Sequence, residues 1–199
     1  MTLYKNRARF SNFSVQVGIA FSKAGLSPNQ WTLVSLLVVF AALYYLVQGY
    51  YLAAAGFFIV SSFLDLVDGS VARVTGKVSR IGGYLDTIVD RYVEGIIIIG
   101  LMFVGLPSPV LPAGVWLGIY LFGAMLTSYA KAAAVEKGLS VREIKGGLFE
   151  RAERLLVLFV GLLLAAANPL YLTYVVILLA VASNFTALQR IEIATHSKY

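Results

Sequence analysis

The sequence contains no cysteine and only one histidine, His196, which excludes several common kinds of active site. Without cysteine, the chain can form no disulfide, no thiolate nucleophile and no thiolate zinc site. A single histidine close to the last residue provides neither a Ser-His-Asp triad nor a histidine-ligated metal centre. Any chemistry of this chain therefore depends on carboxylates, hydroxyls and cationic side chains.

Charge is also scarce, since only 13% of the 199 residues are charged whereas 59% are hydrophobic. The mean hydropathy is +0.82, and soluble domains carry about 25% charged residues. Several apolar runs approach the roughly 20 residues that a helix needs to cross a bilayer. The net charge of +6 suits an anionic membrane face or anionic substrates, and the basic residues show no pattern for binding nucleic acid.

We therefore predict an all-α integral membrane protein, with six transmembrane helices preceded by an N-terminal interfacial amphipathic helix. The chain is expected to be a single membrane domain, residues 1–199, made of an interfacial helix (1–26), a six-helix bundle (27–190) and a cytoplasmic tail (191–199). The predicted spans are about 31–49, 52–72, 82–105, 109–134, 148–167 and 169–190.

The connectors between these spans alternate in charge. Three carry none, whereas the other two contain Lys77, Arg80, Lys137, Arg142 and Lys145. Because lysine and arginine in short loops mark the cytoplasmic side, we expect a multi-pass cell-membrane protein with both termini facing the cytoplasm. The active site is expected on the same side.

Four aspartates, the only ones in the chain, lie within the second and third predicted spans. Asp65 and Asp68 are three residues apart and Asp86 and Asp90 are four apart, so each pair shares one face of its helix. One charged side chain at the centre of a membrane helix costs about 2.5–3.5 kcal/mol. The four carboxylates are therefore predicted to face an aqueous or metal-filled cavity, where two such faces would form a box.

Carboxylates without histidine or cysteine are hard oxygen ligands, which favour Mg²⁺ or Mn²⁺ over zinc, and four of them suffice for one or two ions. Gly69, Ala72 and Gly82 leave room for a ligand beside the backbone, while Arg73 can bind a phosphate. The structural alternative is that the small residues help helices to pack and that the aspartates pair with nearby arginines. Their matched spacings favour the ligand site.

The run from Asp65 to Asp90 resembles the motif of the CDP-alcohol phosphotransferase family, D-x2-D-G-x2-A-R-x8-G-x3-D-x3-D, at every fixed position. The resemblance implies a homodimer in which two divalent ions lie among the four aspartates, Asp65, Asp68, Asp86 and Asp90. It also implies that Asp90 is the general base. The implied CDP-donor site consists of Asp65, Asp68, Gly69, Ala72, Arg73, Gly82 and Asn29, although Asn29, in the run Pro28-Asn29-x-x-Thr32, is equally explained by helix capping.

A second run, Glu150-Arg151-Ala152-Glu153-Arg154, resembles the Glu-Arg-Pro-Glu-Arg segment of one branch of that family. The branch makes phosphatidylinositol phosphate, or its archaeal archaetidyl counterpart, from inositol 1-phosphate. Ala152 replaces the proline, and Ala133 stands where the branch has an arginine. The resemblance implies an acceptor-phosphate site at Lys131, Arg151, Arg154 and Arg190; the alternative is that these cations follow the positive-inside rule and pair with local glutamates.

The expected function is metal-dependent transfer of a phosphatidyl or archaetidyl group from a CDP-linked lipid to a phosphorylated polyol, with release of CMP. Two related enzymes stay open, a di-myo-inositol phosphate synthase that uses CDP-inositol and a phosphatidylglycerophosphate-type synthase. From another class, a divalent-cation transporter would also place carboxylates in the membrane, but spread through its depth. A non-catalytic scaffold would leave the aspartate spacing without a reason.

Overall fold

The computed structural model describes residues 3–139 and 149–196, with side chains from residue 12 onward. These residues form seven α-helices and no strand. In chain order the helices are α1 Leu3–Ser22, α2 Pro28–Val47, α3 Tyr51–Val74, α4 Arg80–Met102, α5 Ala113–Glu136, α6 Arg151–Ala165 and α7 Pro169–His196. The prediction of an all-α fold, with one helix ahead of six others, is confirmed.

Four of the helices are long and apolar enough to cross a membrane: α2, α3, α5 and α7. Helix α4 carries Asp86, Asp90, Arg91 and Glu94, which are too many charges for a candidate span. Helix α6 has 15 residues and is too short for one. The six predicted spans thus correspond to six helices, of which four qualify as spans by composition. The outward face of α2 is apolar, with Leu33, Leu37, Phe40 and Tyr44 between 49% and 61% exposed, as suits contact with lipid.

Several predicted boundaries differ from the observed ones. Helix α7 continues to His196 because residues 191–196 contain neither proline nor glycine, so the predicted tail is helical through that residue. The predicted fifth span begins at residue 148, which lies outside the described residues, as do Arg142 and Lys145 of the charged connector.

The turn before α2 is built around Ser27 and Pro28. Gln30 N–H donates to Ser27 Oγ at 3.4 Å, and Ser27 N–H donates to Gln30 Oε1 at 2.7 Å. This reciprocal pair is a capping box, and Pro28 occupies the first helical position, where its missing N–H costs nothing. Because Ser27 is the cap, Asn29 is not needed as one.

The chain divides into two compact units, Met1–Tyr44 with Gly56–Ile96 and Tyr45–Ala55 with Ile97–Tyr199. In the first unit, Val17 of α1 packs with Trp31, Leu64, Val67 and Val71 of α2 and α3. Two members of this cluster, Leu64 and Val67, directly precede Asp65 and Asp68 in the sequence of α3.

In the second unit, α5 and α7 approach closely at Gly123. A Cβ added at Gly123 would lie 2.5 Å from both Asn184 Nδ2 and Ser183 Oγ. Asn184 donates to the Ile119 carbonyl at 2.9 Å, and Thr127 Oγ1 donates to the Ser183 carbonyl at 3.0 Å. Small and polar side chains at such a crossing are typical of helices that associate within a membrane.

We expect Gly123→Ala to destabilise the protein by about 1–3 kcal/mol, because the added methyl group displaces the Ser183 and Asn184 side chains. The measurement is thermal unfolding in detergent, followed by circular dichroism. Gly118→Ala is the matched control on the same helix, since a Cβ there meets nothing within 4 Å. Equal melting temperatures for Gly123→Ala and the unmodified chain would contradict the close approach of α5 and α7.

Candidate metal and nucleotide site

Three of the four aspartates converge in the first unit, two on α3 and one on α4. Asp65, Asp68 and Asp86 each offer a carboxylate oxygen, and the three oxygens lie within 4.8 Å of one another. Asp68 is 4% exposed, and Thr32 Oγ1 on α2 donates a hydrogen bond of 2.5 Å to its Oδ2. Three helices therefore hold this carboxylate cluster, which we call the aspartate cluster.

Asp90 lies one turn after Asp86 on α4 and is not a member of the aspartate cluster. Its Oδ2 lies 3.4 Å from Nη1 of the adjacent Arg91, and the Asp90 side chain is 15% exposed. A carboxylate beside the cluster, with some access to solvent, is well suited to accept a proton. Its role as general base stays a prediction.

Glu94 follows Asp90 by one further turn on the same face of α4 and is fully buried. It was missed as a candidate residue because it lies outside the aspartate motif. The signal that could have found it is its spacing, since Glu94 follows Asp90 by four residues, as Asp90 follows Asp86.

A cavity in the first unit adjoins the aspartate cluster. Six of the seven residues predicted for the CDP donor line this cavity, and Asp65 is the one that does not. We call it the donor cavity. The lining residues are Pro28, Asn29, Thr32, Asp68, Gly69, Ala72, Arg73, Lys77, Val78, Ser79, Gly82, Gly83 and Asp86.

Lys77 and Ser79 line the donor cavity but are not among the residues predicted for the donor site. Gly76 follows α3 with φ of 67°, and Lys77 N–H donates to the Ala72 carbonyl at 3.0 Å, as in a Schellman turn. This turn reverses the direction of the chain after α3, and residues 77–79 line the donor cavity. From the sequence, Lys77 is interpreted only as a marker of the cytoplasmic side. The signal that could have placed it at the site is Gly76, since a glycine just after a helix commonly forms such a turn.

Gly69 and Gly82 lie where a larger side chain would narrow the donor cavity. A Cβ added at Gly82 would lie 3.0 Å from Ser79 Oγ and 3.3 Å from Asn29 Oδ1. A Cβ added at Gly69 would lie 3.4 Å from Nη1 of Arg73. The Arg73 guanidinium therefore lies along the backbone of α3 beside Gly69, where both residues line the donor cavity.

The aspartate cluster fits a divalent cation by the chemistry of its donors. Three carboxylates supply hard oxygen ligands at mutually short distances, and a buried carboxylate such as Asp68 needs a compensating charge. Thr32 occupies one lone pair of Asp68 Oδ2 and orients that side chain, as partners of metal ligands commonly do.

The cations predicted to bind the acceptor phosphate belong to the second unit. Arg154 is 1% exposed and Arg190 is 7% exposed. Arg154 Nη1 donates to the Phe149 carbonyl at 3.2 Å, and Arg190 Nη1 donates to the Thr127 carbonyl at 2.9 Å. Arg190 Nη2 also lies 3.6 Å from Glu150 Oε1. Two buried arginines thus meet the segment that begins α6.

The other two predicted acceptor residues, Lys131 on α5 and Arg151 at the start of α6, are partly buried. Glu150 pairs with Arg190, which is distant from it in the sequence, so this contact differs from the local glutamate pairing that the sequence leaves open as an alternative.

Burial distinguishes Arg154 and Arg190 from an ordinary surface cation of the same unit. Lys137 is such a cation, since it pairs with Glu136 where both side chains are 71% exposed. An arginine that is buried needs partners for its charge, whereas an exposed lysine has water.

The model of the CDP-alcohol phosphatidyltransferase family matches residues 26–187, which include the aspartate cluster and the donor cavity. The chain belongs to this family. The resemblance of the aspartate motif is therefore confirmed, and with it the expected class of enzyme, a CDP-alcohol phosphotransferase.

A curated relative is the archaetidylinositol phosphate synthase of Methanothermobacter thermautotrophicus, 34% identical over 112 residues. The match covers 54% of this chain and 52% of the relative, so it spans about half the length of each.

Solved structures of Mycobacterium tuberculosis phosphatidylinositol phosphate synthase are similar over nearly the whole chain. The structure with CDP-DAG bound has a TM-score of 0.82 and 29% identity, covering 94% of this chain and 95% of that one. The structure with manganese and citrate has a TM-score of 0.81 and 28% identity, covering 92% of this chain and 90% of that one. Both likenesses agree with the family and with its helical membrane fold.

Proposed function

We propose that this phosphotransferase moves a phosphatidyl or archaetidyl group from a CDP-linked lipid to a hydroxyl of inositol 1-phosphate, and releases CMP. The named relatives support this choice of donor and acceptor, because they are synthases of phosphatidylinositol phosphate and archaetidylinositol phosphate. The Glu-Arg-Ala-Glu-Arg run at the start of α6 supports the same branch.

The observation that carries the proposal is the composition of the donor cavity. Asp68 and Asp86, which belong to the aspartate cluster, line it together with Arg73 and Lys77. Ligands for divalent cations and cationic side chains for phosphate thus lie around one space, which is what a nucleoside diphosphate requires.

In the proposed reaction, an acceptor hydroxyl oxygen attacks the phosphorus that bears the lipid, and the bond from that phosphorus to the CMP oxygen breaks. Asp90 accepts the hydroxyl proton as general base. Arg73 and Lys77 bind the diphosphate, and Thr32 holds the Asp68 carboxylate in place. The products are the new phosphodiester and CMP, and no covalent enzyme intermediate is needed because the acceptor hydroxyl attacks the donor phosphorus directly.

Asp65, Asp68 and Asp86 would hold the divalent ions, with Asp90 beside them. Mg²⁺ or Mn²⁺, two ions by the family resemblance, would supply neutralisation of the charge on the diphosphate and on the departing CMP. Lys131, Arg151, Arg154 and Arg190 are proposed to bind the acceptor phosphate in the second unit.

We also propose a homodimer in the cell membrane, with both termini and the aspartate cluster on the cytoplasmic side. The homodimer follows from the family resemblance. The orientation follows from Lys77, Arg80 and Lys137, which lie between or at the ends of helices on the charged connectors.

The test is CMP release by purified protein in detergent with Mg²⁺ and a CDP-linked lipid, either CDP-diacylglycerol or its archaetidyl counterpart in separate assays. Inositol 1-phosphate, glycerol 3-phosphate, inositol and serine are added separately, beside an Asp90→Asn control. We expect CMP with inositol 1-phosphate alone, and its loss in the control.

Other outcomes distinguish the alternatives. CMP release with glycerol 3-phosphate would identify that compound as the acceptor and indicate a phosphatidylglycerophosphate-type synthase. CMP only when CDP-inositol replaces the lipid donor would indicate a di-myo-inositol phosphate synthase. No CMP under any of these conditions would contradict the proposal and favour cation transport.

A further inference from the structure

The N-terminal helix α1 contacts Arg73, the side chain to which the proposed function assigns the donor diphosphate. Arg73 Nη2 donates to Ser14 Oγ on α1 at 2.8 Å and to Ser70 Oγ on α3 at 3.3 Å. Both contacts use Nη2, so neither serine engages Nη1 or Nε. The contact with Ser14 joins residues 59 positions apart in the sequence.

The hydroxyl groups around Arg73 have one consistent direction of hydrogen bonding. Ser70 Oγ donates to the Leu66 carbonyl at 2.8 Å, which uses its single hydroxyl hydrogen. Ser14 Oγ lies 2.8 Å from Ser70 Oγ, so Ser14 is the donor of that pair. The lone pairs of Ser14 then accept from Arg73, and the chain of donors runs from Arg73 through Ser14 and Ser70 to Leu66.

Packing fixes the position of Ser14 against α3. A Cβ added at Gly18, one turn after Ser14, would lie 2.6 Å from the Ser70 carbonyl oxygen. Only glycine permits this approach of the two helices. The ring of Phe21 on α1 meets that of Trp31 edge to face, with centroids 5.3 Å apart, which anchors the end of the helix.

We infer that Ser14 is a positioning residue for Arg73, so that α1 forms part of the donor site. The inference rests on the proposed function, because that function makes Arg73 a ligand of the diphosphate. A long arginine side chain loses rotamer freedom when it binds phosphate, and a partner that holds it in place beforehand reduces this cost. Ser70 belongs to the same helix as Arg73, so Ser14 supplies the restraint from a second helix.

The test measures binding of CDP to detergent-purified protein in the presence of Mg²⁺, by isothermal titration calorimetry. We expect Ser14→Ala to weaken CDP binding about 5- to 10-fold, less than the loss of a hydrogen bond made directly to a charged ligand, because Ser14 acts through Arg73. Ser14→Thr keeps the hydroxyl and should bind nearly as tightly as the unmodified chain. Ser22→Ala is the matched control, because Ser22 Oγ donates to the Ile19 carbonyl within α1.

Two further measurements distinguish positioning from a structural role. In a Trp116→Phe background Trp31 is the only tryptophan, and its emission reports the docking of α1 through Phe21. We expect Ser14→Ala to leave this emission unchanged. In an Arg73→Lys background, Ser14→Ala should add no further loss of CDP affinity, because the two residues act together.

Each outcome has a separate meaning. Equal CDP affinity of Ser14→Ala and the unmodified chain would overturn the inference and leave the proposed function intact. A loss of CDP affinity accompanied by a shift of Trp31 emission would also overturn the inference, in favour of a structural role. The same holds if Ser14→Ala weakens CDP binding as much in the Arg73→Lys background as in the unmodified chain. Failure of the unmodified chain to bind CDP would overturn the proposed function, and the inference with it.

Discussion

Asp86→Asn is expected to lower CMP release more than about 100-fold. Loss of a residue that only hydrogen-bonds a metal ligand typically costs about 10- to 100-fold in metal affinity or activity, and Asp86 is itself a proposed ligand. Asp86 supplies one of three carboxylate oxygens within 4.8 Å of one another, and its amide replacement removes that charge. The measurement is initial CMP release over a series of Mg²⁺ concentrations. We expect the Mg²⁺ concentration for half-maximal activity to rise as well.

Asp90→Asn is the matched comparison on the same helix. Loss of a general base is expected to lower the maximal rate about 10²–10⁴-fold. Because Asp90 lies outside the aspartate cluster, its replacement should change the Mg²⁺ dependence less than Asp86→Asn does. If Asp86→Asn retained activity at the usual Mg²⁺ concentration, the aspartate cluster would not be the metal site.

Arg190→Gln should raise the KM for inositol 1-phosphate about 10- to 100-fold, as expected for one lost hydrogen-bonded charge. The side chain is almost fully buried, and its partners include the Thr127 carbonyl and the Glu150 carboxylate. The KM for the CDP-linked lipid should change little. Steady-state kinetics with each substrate varied in turn provides the measurement.

Lys137→Gln is the control for this prediction, since it removes a cation from the end of α5 in the same unit, where the side chain is 71% exposed. It should leave both KM values unchanged. An equal rise of both KM values in Arg190→Gln would indicate general disruption of the second unit, and an unchanged acceptor KM would exclude Arg190 from the phosphate site.

The residues that surround the aspartate cluster could be predicted from the sequence because the motif is local and helical. Spacings of three and four place Asp65 with Asp68 and Asp86 with Asp90 on single helix faces, whatever the rest of the fold does. The small residues Gly69 and Gly82 are predicted to leave space for a ligand; both line the donor cavity, and their part in binding a ligand stays a prediction.

Contacts between distant parts of the chain could not be predicted in this way. The bond from Thr32 to Asp68 and the bond from Arg73 to Ser14 depend on how α2 and α1 pack against α3. Hydrophobic pattern specifies that such helices pack but not which hydroxyl meets which charged group. The pairing of Arg190 with Glu150 likewise depends on tertiary packing, because the two residues lie on or beside different helices, α7 and α6.

Transfer of the lipid phosphoryl group is tested by measuring both products of the wild-type reaction with CDP-diacylglycerol, Mg²⁺ and inositol 1-phosphate. CMP by chromatography and phosphatidylinositol phosphate by mass spectrometry should form in equimolar amounts, and neither should form when the acceptor is omitted. CMP released without an acceptor, or without the matching lipid product, would contradict transfer and indicate hydrolysis of the donor.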